Sequence, residues 1–167
     1  MYTIHKSMKF GLLALVVTIA LAATMVLIGS QPAAGEGGTV APELEGTWLA
    51  TISIESGGPP PFEGLNTYAR GGALIVTDGG VPPASGYVYQ GSWTKTGPGQ
   101  FSSAFLGFKY DATTGARTGY IRIHETDHLQ PDGKTYDGVA TIEILDTAQN
   151  VIVTVSATSH ATRISAQ

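Results

Sequence analysis

From Gly46 onward a turn signal falls every 8–14 residues, and the short runs between these signals are rich in Thr, Val, Ile and Tyr. Such runs have no convincing 3.6-residue apolar period for a helix, and they suit half-buried strands. The pattern predicts strands over Thr47–Glu55, Gly64–Ala69, Ala73–Thr77, Tyr87–Lys95, Phe101–Tyr110, Arg117–Leu129, Thr135–Asp146 and Val151–Ile164. Gly97-Pro98-Gly99, Pro131-Asp132-Gly133-Lys134 and Thr147–Asn150 read as tight turns, and the longer loops carry Pro59-Pro60-Pro61 and Pro82-Pro83. Strands joined in sequence by short turns form an antiparallel meander. With no helix to cover it, an eight-stranded sheet loses its open edges by closing on itself. The expected fold is therefore all-β, an eight-stranded antiparallel up-and-down barrel over residues 46–167. A sandwich of two four-stranded sheets is the alternative.

A different segment precedes this domain. Lys6 and Lys9 lead into 19 uncharged, mostly apolar residues, Phe10–Ile28, followed by small residues and a Pro up to Gly35. A basic start, an apolar middle and a small-residue exit describe an export signal. Ala33 and Gly35 suit the narrow peptidase pocket, so cleavage is expected after Gly35, with Ala34 as the alternative. The run is also long enough to span a bilayer, so residues 1–35 are either a signal peptide or a membrane anchor helix. Residues 36–45 read as a linker. All 13 acidic residues but only seven of the nine basic ones lie beyond residue 35. An acidic domain is repelled by phosphates, so nucleic acid is not an expected partner, and membrane contact is expected only through an uncleaved N-terminal helix. The absence of Cys excludes disulfides, thiol catalysis and Cys-ligated metals.

Alternation indicates the inner face of the last two strands. Tyr136, Gly138, Ala140, Ile142 and Ile144 share one face of strand seven, and Val151, Val153, Val155, Ala157 and Ala161 share one face of strand eight. Arg163 lies on that same face at the strand's end. Gly46-Thr47-Trp48 opens the first strand. A Gly-x-Trp opening with a basic residue closing the last strand resembles the calycin superfamily, the lipocalins and their relatives. The run Pro61-Phe62-Glu63-Gly64-Leu65-Asn66-Thr67-Tyr68, Gly91-Ser92-Trp93 and the terminal Ala161-Thr162-Arg163-Ile164 are similar to small exported bacterial proteins with lipocalin-like or allene-oxide-cyclase-like barrels. The resemblance implies that Arg163 covers the Trp48 indole and closes one end of the barrel, a structural device and not a site. Neither a C-terminal helix nor a further lipocalin motif is present, so the resemblance implies more of the fold than of the activity.

Few residues offer chemistry. His124-Glu125-Thr126-Asp127-His128 has a His-x₃-His spacing, but on a strand the two imidazoles lie ~13 Å apart, too far for one metal ion. No metal or cofactor is expected. If Ile121 and Ile123 point inward, Glu125 and Asp127 follow them, and a buried carboxyl can act as an acid or base or hold a polar ligand group. A bulge after Ile123, or a place at the wet mouth, would instead leave both solvated. Tyr68, Tyr87, Tyr89, Tyr120, Tyr136, Phe101, Phe105 and Phe108 either line a cavity or fill the core. The expected function is the binding of a small apolar molecule, with Tyr89, Phe105, Glu125, Ile142 and Val153 as candidate ligand contacts. A cofactor-free isomerase or cyclase and a filled barrel acting through its surface are the alternatives, and no catalytic residue is assigned. A cavity would separate the first two from the third, and a buried carboxylate or Tyr facing it would favour the enzyme. The expected assembly is a monomer or a small homo-oligomer.

Overall fold

The computed structural model describes residues 43–55 and 57–165. Residues 1–35, expected as a signal peptide or membrane anchor, and most of the expected linker lie outside these residues. Eight strands follow in chain order: β1 (Gly46–Ile54), β2 (Phe62–Tyr68), β3 (Ala73–Asp78), β4 (Val88–Gly97), β5 (Gln100–Tyr110), β6 (Arg117–Leu129), β7 (Thr135–Leu145) and β8 (Val151–Arg163). Each pairs antiparallel with the next, and β8 pairs with β1, so the sheet is a closed up-and-down barrel and not a sandwich. Every strand thus has two neighbours, and no row of backbone donors is left at an edge. The sole helical element among the described residues is one 3₁₀ turn, Pro83–Ser85, in the β3–β4 loop.

The turns follow their residues. Gly133 takes a φ of 68° in the β6–β7 turn, a left-handed conformation that glycine adopts without strain. Gln149 takes the same φ in the β7–β8 turn without being glycine. There the Asp146 carboxylate accepts hydrogen bonds from the backbone N–H groups of Ala148 and Asn150 and from Asn150 Nδ2. That Asx arrangement holds the turn.

One end of the barrel is filled. The β1–β8 register sets Trp48 opposite Arg163, whose guanidinium carbon lies 4.1 Å from the indole centroid. The same guanidinium donates to the carbonyls of Gly133, Glu45 and Glu43, tying three segments across the end. Trp48 is fully buried, and its Nε1–H donates to the Leu44 carbonyl at 2.9 Å. Leu44 is itself fully buried, so Glu43–Glu45, expected as the end of a linker, pack onto the barrel. Behind the indole, Tyr68, Leu74, Phe101, Leu129 and Tyr136 form the aromatic-rich core, with Trp48 and Tyr136 edge to face at 5.0 Å. Large rings at this level use up the interior. At the other end the inward positions carry Ile52, Val76, Ala140, Ile142, Val155 and Ala157, which are too small to meet across a barrel of this size.

Candidate functional site

The mismatch in side-chain size leaves a cavity of about 190 Å³ in the end of the barrel opposite Trp48. Its walls come from all eight strands. Ile52 and Ile54 of β1, Val76 of β3, Tyr89 of β4, Phe105 of β5 and Ile121 and Ile123 of β6 face Ala140, Ile142 and Ile144 of β7 and Val155 and Ala157 of β8. Pro59, Gly80 and Val81 from the loops at that end, with Phe62 at the start of β2, complete the wall. Gly80 packs so tightly on the Phe62 ring that a Cβ there would sit 2.4 Å from it.

Tyr89, Phe105, Glu125 and Ile142 all line this cavity. Val153 does not: it is 42 % exposed, and although its partner Ile144 lines the cavity, the β8 part of the wall is formed by Val155, Ala157, Thr158 and Ser159. The aromatic residues divide three ways. Tyr68, Phe101 and Tyr136 fill the closed half, Tyr89 and Phe105 line the cavity, and Tyr87 and Phe108 are exposed. Tyr120 packs on the outside against Phe108, with ring centroids 5.7 Å apart. His124 and His128 point outward into solvent, and among the described residues no group of three acidic or imidazole side chains is placed to hold a metal ion.

The floor of the cavity is polar. The β5–β6 ladder runs without a shift through Phe105–Ile123, Ser103–Glu125 and Phe101–Asp127, so both carboxyls stay inside. Glu125 is 6 % exposed and Asp127 is 0 % exposed, which removes both the bulge and the wet-mouth alternatives. Glu125 Oε1 accepts a hydrogen bond from Ser159 Oγ at 2.6 Å. Beneath it, Asp127 Oδ2 accepts from the Tyr68 hydroxyl at 3.2 Å. The Tyr68 oxygen lies 3.3 Å from the Tyr136 hydroxyl, and Asn66 Nδ2 donates to Tyr136 at 2.8 Å. Each hydroxyl has one hydrogen, so a consistent chain runs from the Asn66 amide through Tyr136 and Tyr68 to Asp127.

Asp127 Oδ1 has no hydrogen-bond partner among the described residues. It faces the same small space beside Gly138 as Glu125 Oε1 and Ser159 Oγ. A Cβ on Gly138 would sit 2.8, 2.5 and 2.3 Å from those three atoms. Glycine at 138 is therefore what makes room for the carboxyl pair. Burial pushes both acids toward their neutral forms. Desolvation is the main cause for each, and for Asp127 it acts with the adjacent Glu125 charge to raise the carboxyl to about 8, against the weaker opposing effect of the Tyr68 hydrogen bond. Burial likewise raises Tyr68 and Tyr136 well above the ordinary phenol range, so they remain donors. Nearer the mouth, the Tyr89 hydroxyl donates to Asp78 Oδ2 at 3.2 Å, and burial raises that phenol too. Ser159 shares the parity of Ala157 and Ala161 on β8, so that partner had a sequence signal; for the Tyr68–Tyr136–Asn66 chain only the inward turn of Tyr136 had one.

These features define an all-β protein, a closed eight-stranded up-and-down barrel that is filled at one end and hollow, with an acidic floor, at the other. No protein-family model matches the chain, and no curated protein matches it.

Proposed function

We propose that the protein is an exported, lipocalin-like barrel that binds one small apolar molecule. The observation that carries this reading is the apolar cavity of about 190 Å³ with Glu125 at its floor. An apolar cavity of ~150 Å³ takes up benzene, whereas drug-sized ligands need ~300 Å³ or more. The guest that fits is a compact aromatic or terpenoid molecule and not a long-chain fatty acid. Burying ~200 Å² of such a guest contributes about 5 kcal/mol, a Kd on the order of 0.2 mM before any polar contact is added. The Lys-flanked apolar run before Gly35 supports export, and the Trp48–Arg163 closure supports the calycin-like assignment.

Glu125 also favours a second reading, a cofactor-free isomerase or cyclase, since a buried carboxyl with a raised proton affinity can give or take a proton. Asp127, Tyr68 and Tyr136 lie beneath the cavity wall and not on it, and the other acid and phenol on the wall, Asp78 and Tyr89, are hydrogen-bonded to each other nearer the mouth. Binding asks less of the site.

Native mass spectrometry of the protein exported by its own host tests the proposal. The expected result is a chain starting near Glu36 with one compact, non-covalently bound molecule that leaves on unfolding. A ligand-free protein that also fails to take up any apolar compound would overturn it.

A further inference from the structure

We infer that the cavity selects a compact apolar amine, held as its ammonium by Glu125 with Asp127 behind it. This inference rests on the ligand-binding reading and adds the chemical class of the guest. Its basis is the set of polar groups that face the cavity and its floor. Glu125 and Asp127 come from β6, Asn66 and Tyr68 from β2, Asp78 from β3, Tyr89 from β4, Ser103 from β5, Tyr136 from β7, and Thr158 and Ser159 from β8; β1 contributes only Ile52 and Ile54. Among the described residues, no Lys, Arg or His is on the wall. Three carboxyls thus stand in or just beneath an apolar chamber without a countercharge. Asp78 is satisfied by Tyr89 and by the Gly80 N–H. The pair at the floor is not. Asp127 Oδ1 has no partner although Asp127 is completely buried, and the equally partnerless Ser103 Oγ stands across the β5–β6 ladder from Glu125.

Unpaired buried acceptors leave an unmet demand for donors and positive charge. An ammonium at the floor meets it with three N–H donors, while its apolar body fills the isoleucine-lined space. An anionic guest is repelled by the same floor. A neutral guest can use the apolar walls but not the charge. In the empty barrel the demand is met by retaining a proton, so entry of an ammonium releases that proton to solvent. Amine affinity therefore rises with pH across neutrality, until the free amine itself loses its charge.

The test compares benzylamine, benzyl alcohol and benzoate, three guests with one ring and different heads, with toluene as the headless reference. Calorimetric titrations at pH 7 in two buffers of different ionisation enthalpy read both affinity and proton release. Benzylamine is expected to bind at least about tenfold more tightly than benzyl alcohol, with release of a proton, and benzoate is expected not to bind. Glu125→Gln should remove the amine preference and the proton release while benzyl alcohol still binds; far-UV circular dichroism checks its fold. Asp127→Asn should reduce the proton release, which keeps the inference open to refutation if the first variant does not fold. Toluene and benzyl alcohol binding as well as or better than benzylamine would overturn the amine assignment and leave the cavity reading standing. Failure of all four to bind would overturn both.

Discussion

Replacing Asp127 by Asn tests whether the floor of the barrel costs the fold stability at neutral pH. In the unfolded chain this carboxyl ionises around its ordinary value of 3.8, while in the barrel it is raised to about 8. Between those values the folded state holds a proton that the unfolded state has released. Stability is therefore fully present below the unfolded value and declines as pH rises toward the folded one. Each unit in that window costs about 1.4 kcal/mol. Between pH 5 and pH 7 the wild type should lose roughly 2–3 kcal/mol through this group alone. Glu125, raised by the same burial, acts in the same direction. The Asp127→Asn amide retains an oxygen for the Tyr68 hydroxyl and turns N–H toward Glu125, so no hydrogen bond need be lost. Urea unfolding followed by tryptophan fluorescence at pH 5, 6, 7 and 8 should show the variant above the wild type at neutral pH. The gap should widen by roughly 2–3 kcal/mol between pH 5 and pH 7. Parallel curves, or a wild type that is more stable at pH 7 than at pH 5, would refute the reasoning.

Trp48→Ala should cost ~3–5 kcal/mol, since the indole is fully buried under Arg163. Trp93, half-buried beside Tyr68 and Phe101, should lose roughly half as much on truncation. Equal shifts in melting temperature would contradict the role of Trp48 in closing the barrel. Gly138→Ala should overpack the carboxyl pair and cost ~1–3 kcal/mol. The same unfolding assay checks this, and a neutral effect would mean that the floor relaxes freely.

The barrel was legible because its period-two pattern and its turn residues agree along nearly the whole domain. Thr135–Leu145 and Arg117–Leu129 match their expected bounds to within a residue. Only β2 starts two residues early, at Phe62, because the strand begins directly after Pro61, where a loop was expected to continue. The inward turn of Glu125 and Asp127 could also be read, since it needs only an unbroken alternation from Ile121. What the alternation does not carry is depth along the barrel axis. Val153 and Val155 share a face, yet Val155 lines the wall and Val153 is 42 % exposed, although its partner Ile144 lines the wall. Nor does it carry the meeting of Tyr68 with Asp127 or of Asn66 with Tyr136. Those pairs are 59 and 70 residues apart in the chain and meet only because the barrel closes.

Titration of a fluorescent apolar probe into the wild type and three variants tests the central claim, that function resides in the interior. The account predicts saturable binding to the wild type, displaced by compact terpenoids. Ile142→Trp should abolish it while remaining folded, because the indole fills a cavity of about 190 Å³ from its β7 wall. His124→Ala and His128→Ala, whose side chains point outward, should bind as the wild type does. A folded wild type that leaves the probe free, or an Ile142→Trp variant that binds it equally well, would contradict the account.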